Sequence, residues 1–336
     1  MLALAHERYG PPAEALRLRE ADAPVPGEGE VLLRVRAASA NPLDWHLVRG
    51  EPALVRLIAG LRGPKEWQTG ADAAGVVEAV GAGVTHLKAG DRAAYAANPP
   101  GSYSLARVMP ARNVCKLPDA ISFETGASMM LKGLTAQYLL RRALPQEGLV
   151  PGDHVLFHAA AGGVGLIACQ WARALGLQLI GTAGSDEKCK LAKANGAAHV
   201  INYRTEDFAA RVKEITGGKG VKVVYDSVGK DTWDKSLECL RPFGLMASFG
   251  NASGVVPPFA PGILGAKGSL YVTRQTLFTH IATREATQAM ADELFAIVAS
   301  GKVVIHTERR YPLADAAQAH RDLESRATTG SGILVP

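Results

Sequence analysis

From residue 153 to about 250, short apolar runs alternate with stretches whose apolar residues recur at helical spacing. The runs fall at 153–158, 177–182, 198–201, 221–225 and 243–249, and the helical stretches between them at 164–175, 186–195, 205–216 and 231–240. Runs such as Val155-Leu156-Phe157 suit strands covered on both faces, so the rhythm predicts βαβ units and a doubly wound parallel sheet. The first 130 residues read differently. Val31-Leu32-Leu33-Arg34-Val35 and Gly75-Val76-Val77-Glu78-Ala79-Val80 are β-like runs broken by Gly and Pro, which predicts a compact, mostly β domain. A helix over 125–140 would carry the chain from one domain to the other. After the alternating region, helical patterns at 284–300 and 315–325 bracket a strand near 303–309, and Gly332-Ile333-Leu334-Val335 would return to a sheet. The C-terminal segment is therefore expected to rejoin the first domain.

The junction after the first strand of the alternating region carries the strongest chemical signal. Phe157-His158-Ala159-Ala160-Ala161-Gly162-Gly163-Val164-Gly165 leads into Ile167, Ala168, Trp171 and Leu175 at helical spacing, and Gly176 ends the helix. Ala160, Gly162 and Gly165 take the three fixed places of the dinucleotide fingerprint, with alanine in the first. Glycines also punctuate ordinary tight turns, but the strand, turn and helix context favours a pyrophosphate resting on the helix-opening amides.

A fold that prefers NAD tends to end its second strand in Asp or Glu, which binds the ribose 2′-hydroxyl. Here the run 177–182 passes into Ala183-Gly184-Ser185, with Asp186, Glu187 and Lys188 following. A 2′-phosphate needs a cation, hydroxyl donors and free amides, which Gly184, Ser185, Lys188 and Tyr203 would supply together. The pattern favours NADPH. Taken singly, Lys188 reads equally well as a solvated residue of a helix's first turn and Tyr203 as a strand-end aromatic.

Size and charge narrow the rest. At 336 residues the chain exceeds the usual single-core size, which favours two domains. No apolar run is long enough to cross a bilayer and the N-terminus has no leader pattern, so a soluble cytoplasmic protein is expected. The net charge is +5, yet Lys and Arg are dispersed among Asp and Glu, so nucleic-acid binding is not indicated. Cys115, Cys169, Cys189 and Cys239 form no CxxC pair and suggest neither a disulfide framework nor a clustered zinc site.

From Gly90 onward the chain resembles the quinone oxidoreductases related to ζ-crystallin, in the medium-chain dehydrogenase/reductase superfamily. The resemblance rests on Ala89-Gly90-Asp91-Arg92, Ile121-Ser122-Phe123-Glu124, Leu131-Lys132-Gly133-Leu134-Thr135 and the Gly-rich turn. It continues through Val224-Tyr225-Asp226-Ser227-Val228-Gly229, Ser248-Phe249-Gly250-Asn251, Gly268-Ser269-Leu270-Tyr271-Val272-Thr273-Arg274 and Leu323-Glu324-Ser325-Arg326-Ala327-Thr328. It implies an α/β protein with a Rossmann domain, 131–269, and a mostly β, GroES-like catalytic domain built from 1–130 and 270–336. It also implies a homodimer that passes reducing equivalents from NADPH to a small-molecule quinone.

By position, Gly162, Gly163 and Val164 would hold the pyrophosphate. Gly184, Ser185, Lys188, Tyr203 and Arg326 would hold the 2′-phosphate. Thr135 and Tyr138 would lie near the nicotinamide, with Ser227, Phe249, Gly250 and Asn251 along the ribose and carboxamide. Asn41, Asp44 and His46 match an Asn-x-x-Asp-x-Tyr element bordering the substrate pocket, with His46 in place of the tyrosine, and Asn41 and His46 would hydrogen-bond the acceptor oxygen. The stretch 41–69 looks more like a sister branch of reductases. Zinc-dependent relatives carry a Gly-His-Glu motif where this chain has Gly70-Ala71-Asp72, and a Cys ligand where it has Asn41, so no metal is expected. Two rival readings remain: an NADPH-dependent 2-alkenal or enone reductase, and an NADPH-binding sensor or RNA-binding protein with little turnover.

Overall fold

The computed structural model describes residues 1–64, 69–97, 99–144, 148–325 and 328–336. They pack as two compact units. One comprises Met1–Leu134, His280–Ala299 and Ile305–Pro336, the other Thr135–Thr279 and Ser300–Val304.

The second unit is built on a six-stranded, wholly parallel sheet. Its spatial order is His199–Asn202, Gln178–Ala183, His154–Phe157, Val221–Asp226, Leu240–Ser248 and Tyr271–Arg274. The helices Gly163–Ala174, Asp186–Ala194, Phe208–Ile215 and Trp233–Glu238 fall between successive strands in the chain. The strand order reverses at His154–Phe157, the place where a doubly wound sheet binds its ligand beyond the strand ends. Every residue of Val221–Asp226 is buried, Lys222 with its ammonium 3.0 Å from Asp153 Oδ2, and Leu156, Ile180, Val212, Val224, Trp233 and Met246 fill the core.

In the first unit a mixed sheet runs Thr307–Pro312, Ser331–Val335, Glu30–Ala40, Asp72–Val80, Arg92–Ala96 and Val114–Lys116, while Ala106–Pro110 also pairs with Glu30–Ala40. The C-terminal strand Ser331–Val335 lies antiparallel to Glu30–Ala40, so the last residues do complete the sheet of the first. Leu33, Val35, Val77, Tyr95, Met109 and Leu334 centre its core.

Three segments differ from the pattern-based expectation. The strand expected near 303–309 lies at Thr307–Pro312, because the side chain of Gln170 takes both backbone groups of Val304, accepting from its N–H at 2.8 Å and donating to its carbonyl at 2.9 Å. Residues 205–207 precede the helix Phe208–Ile215, whose start is fixed by Asp207 accepting from the amides of Ala209 and Ala210. Tyr271–Arg274 joins the parallel sheet, so the packing boundary falls at 279/280 where 269/270 was expected; the other boundary falls at 134/135, within the helix Phe123–Arg142.

Candidate functional site

The Gly-rich turn is held from three sides. The His158 amide donates to Tyr225 O at 3.0 Å, the Ala160 amide to Thr182 O at 3.0 Å and the Gly162 amide to Ala159 O at 2.9 Å. The buried His158 ring spans Thr182 Oγ1 and Ser236 Oγ, each at 2.9 Å, and burial lowers its pKa, so it serves as a neutral strut. Gly162 then caps the helix Gly163–Ala174 in an extended conformation. Gly165 permits the close approach: a Cβ there would lie 2.5 Å from Ala159 O and 2.6 Å from Ala160 O. Gly163, Val164 and Gly165 thus open the helix with N–H groups that no intrahelical carbonyl can reach.

At the end of the neighbouring strand, Ser185 caps the helix Asp186–Ala194, its hydroxyl accepting from the Lys188 amide at 3.3 Å. Tyr203 OH lies against Gly184, 2.6 Å from where a Cβ would stand. Gly184, Ser185, Lys188 and Tyr203 are therefore brought together. Asp186 is turned to Asn202, whose amide donates to its carboxylate at 2.8 Å. Glu187 takes hydrogen bonds from its own amide and from the Ser185 hydroxyl, which hold its carboxyl below the usual range and leave one anion beside the cluster. Arg326 lies outside the described residues.

A second pair of strand ends adds Ser227, Phe249, Gly250 and Asn251. The Phe249 amide donates to Asp226 O at 2.8 Å, the Ala252 amide to Ser227 O at 3.1 Å, and the Phe249 ring packs 5.7 Å from Phe157. Arg274, to which the sequence reading gave no role, donates to Ser248 Oγ at 3.0 Å and Gly250 O at 3.1 Å. Its charge interacts with the Tyr138 phenol, which burial raises above its ordinary pKa. Thr135 lies one turn before Tyr138 on the same helix and is partly exposed.

In the first unit, Asn41 precedes the helix Pro42–Arg49, and its amide N–H donates to Asp44 Oδ2 at 2.9 Å. Its side-chain NH2 donates to Asp72 Oδ1 at 2.8 Å, Asp44 Oδ2 at 3.0 Å and Ser39 O at 3.2 Å. Its Oδ1 accepts from Lys132 Nζ at 2.7 Å and Ser39 Oγ at 3.3 Å. Both ends of the amide are committed and 1% of the residue is exposed, so Asn41 braces the start of this helix. His46 is half-buried, stacked 4.0 Å from Trp45, with Nδ1 2.7 Å from Glu51 O.

From Asp44 the network continues to Tyr103 OH at 3.2 Å and on to His320 Nε2 at 3.0 Å. Burial, with Asp72 nearby, raises the Asp44 carboxyl to about 7, against the pull of Asn41 and Lys132. Burial also drives His320 down to about 3 and lowers Lys132, the latter opposed by Asp72 and Asp44. Sequence reading missed Lys132, Tyr103 and His320 as one system. A lysine inside the apolar run Met129-Met130-Leu131-Lys132-Gly133-Leu134 is the signal that points to it, since a buried charge requires partners.

Residues 27–144 match the family described as alcohol dehydrogenase GroES-like domain, and residues 163–295 the one described as zinc-binding dehydrogenase. A quinone oxidoreductase of Pseudomonas aeruginosa is 51% identical over 328 residues, 98% of this chain and 97% of that protein. The chain belongs to the quinone oxidoreductases of the medium-chain dehydrogenase/reductase superfamily. A crystal structure of a family member, the Escherichia coli quinone oxidoreductase complexed with NADPH, superposes with a TM-score of 0.92 at 48% identity, covering 100% of both chains. A 2-haloacrylate reductase from a Burkholderia species is 42% identical, covering 100% of this chain and 99% of its own.

The zinc in one family description does not fit the residues present. Asn41 and Asp72 stand together, but an ammonium lies 2.7 Å from Asn41 Oδ1, and a bound dication there would meet that charge. Among the described residues, no group of three or more His, Cys, Asp or Glu is placed to hold a metal ion.

Proposed function

We propose that the protein is an NADPH-dependent quinone reductase. The observation that carries the reading is the convergence of Gly184, Ser185, Lys188 and Tyr203 beside a helix-opening Gly-rich turn, without an acid aimed at the ribose from the preceding strand end. In this reading the amides of Gly163 and Val164 bind the pyrophosphate, with Gly162 shaping the turn against it, and Gly184, Ser185, Lys188, Tyr203 and Arg326 bind the 2′-phosphate. Thr135 and Tyr138 border the nicotinamide; Ser227, Phe249, Gly250 and Asn251 orient its ribose and carboxamide.

The cofactor, when bound, supplies the hydride. The protein's part is alignment and exclusion of water, with Arg274 bracing the Ser248–Gly250 turn. Asn41 and Asp44 fix the helix that presents His46, and His46 borders the acceptor, its Nδ1–H held by Glu51 O and its Nε2 a donor in the protonated ring. The edge strand Tyr271–Arg274, with Tyr271 exposed, is the face we assign to a homodimer. No helix among the described residues is long and apolar enough to cross a membrane, and we assign the protein to the cytoplasm.

The 2-haloacrylate reductase relationship supports a second reading, reduction of activated double bonds. Following NADPH oxidation with 1,4-benzoquinone, 9,10-phenanthrenequinone, 2-alkenals and 2-haloacrylate separates the two. Quinones are expected to give the higher kcat/KM; a strong preference for the alkenals or haloacrylate would replace our reading with the second.

A further inference from the structure

Lys132 is a buried cation whose hydrogen bonds, among the described residues, go to the end of the strand Glu30–Ala40 and to Asn41, where the chain enters the helix Pro42–Arg49. Its ammonium donates to Asn41 Oδ1 at 2.7 Å, Ser39 Oγ at 3.0 Å and Ala40 O at 3.4 Å. The same two side chains pass the interaction on, for Ser39 Oγ and the Asn41 NH2 donate to Asp72 Oδ1 at 2.7 and 2.8 Å. Asp72 Oδ2 accepts from the Leu131 amide at 3.0 Å. A lysine and a carboxylate are thus joined through two bridging side chains, and four elements meet there: Glu30–Ala40, Pro42–Arg49, Asp72–Val80 and Phe123–Arg142. Removing the cation would leave Asn41 Oδ1 with Ser39 Oγ as its one donor, at 3.3 Å, and would take from the buried Asp72 carboxyl the positive charge that favours its ionised form.

The oxygens around the ammonium are of the kind a hard metal ion would use, and the charge that gathers them here is covalent. What it holds is the start of Pro42–Arg49, through Asn41 and, one step on, Asp44. We propose that Lys132 is a positioning residue for the acceptor: a built-in cation that sets the Asn41 cap, and with it His46, without a metal ion.

This rests on the reductase reading. The test compares Lys132→Met, Lys132→Arg and Ser39→Ala with wild type, measuring melting temperature, NADPH affinity by fluorescence, and kcat and KM for 1,4-benzoquinone. Lys132→Met is expected to lower acceptor kcat/KM by about tenfold or more while NADPH affinity stays within about twofold. Lys132→Arg should recover much of the loss, and Ser39→Ala should show a smaller fall in the same direction. A folded Lys132→Met that keeps its acceptor kcat/KM, or that loses NADPH binding in equal measure, overturns the proposal. If Lys132→Met does not fold, Ser39→Ala decides, and unchanged acceptor kinetics in that variant overturn it. A wild type inert toward quinones, alkenals and haloacrylate alike refutes the reductase reading itself, and the lysine's role with it.

Discussion

Gly165→Ala tests the Gly-rich turn most directly. The added Cβ would stand 2.5 Å from Ala159 O, 2.6 Å from Ala160 O and 2.7 Å from the Ala160 carbonyl carbon. All three atoms are backbone, so no side chain can rotate away, and relief requires moving either the turn or the helix Gly163–Ala174. Forced overpacking of this kind costs about 1–3 kcal/mol of stability. The same movement displaces the amides that face the pyrophosphate. A hydrogen bond to a charged group contributes about 1.5–3 kcal/mol, so the loss of one weakens NADPH by roughly 10- to 150-fold. Gly265→Ala is the control, because nothing lies within 4 Å of a Cβ there and the residue stands in the helix Gly262–Ala266, outside the proposed cofactor site. Urea denaturation and fluorescence titration with NADPH read both quantities. A Gly165→Ala protein that binds NADPH within about twofold of wild type, or one indistinguishable from Gly265→Ala, would refute the reasoning.

Other consequences can be measured on the same protein. Lys188→Ala should weaken NADPH by about 1.5–3 kcal/mol and NADH far less, and an equal loss for both would remove the 2′-phosphate assignment. Asp44, raised to about 7 by burial, contributes stability as its protonated form, and that contribution is lost as pH rises from the unfolded value near 4 through 7. The buried Asp44 Oδ1 has no hydrogen-bond partner among the described residues. His320, lowered to about 3, works in the opposite direction, its contribution being lost as pH falls below 6.5. The stability difference between wild type and Asp44→Asn should therefore move in favour of wild type between pH 7.5 and 5; a constant difference counts against the assignment. Burial pushes the thiols of Cys115, Cys169 and Cys239 up to about 12. They should resist a disulfide reagent at pH 8 until the protein unfolds, and rapid native labelling of any of the three would contradict their placement.

The parallel sheet was legible because its central strands are buried on both faces, so Val155-Leu156-Phe157 and Val223-Val224-Tyr225 advertise themselves by composition alone. The phosphate-facing turn was legible because close backbone approach demands small residues at fixed places. What escaped the pattern depends on partners distant in sequence. Val303-Val304-Ile305 looks like a strand, yet the side chain of Gln170 claims the Val304 backbone. Tyr271–Arg274 carries no local mark of which sheet edge it joins. Asn41 was placed at a pocket border by position, but only the structure shows its amide already committed to Lys132, Asp44 and Asp72. Local spacing cannot express a network whose members lie some 30 and 90 residues apart.

The pairing of Ser331–Val335 with Glu30–Ala40 matters for synthesis on the ribosome. Ile333 sits opposite Ser39, the residue that bridges Lys132 and Asp72, about 290 residues earlier in the chain. At about 5–20 residues per second, the edge around Ser39 waits some 15 to 60 seconds for its neighbour to be translated. The parallel sheet, drawn almost wholly from 135–279, emerges well before then. Nascent chains stalled short of residue 331 should hold a formed nucleotide-binding half and an open, Ala-rich strand edge, the form in which a chaperone would meet them.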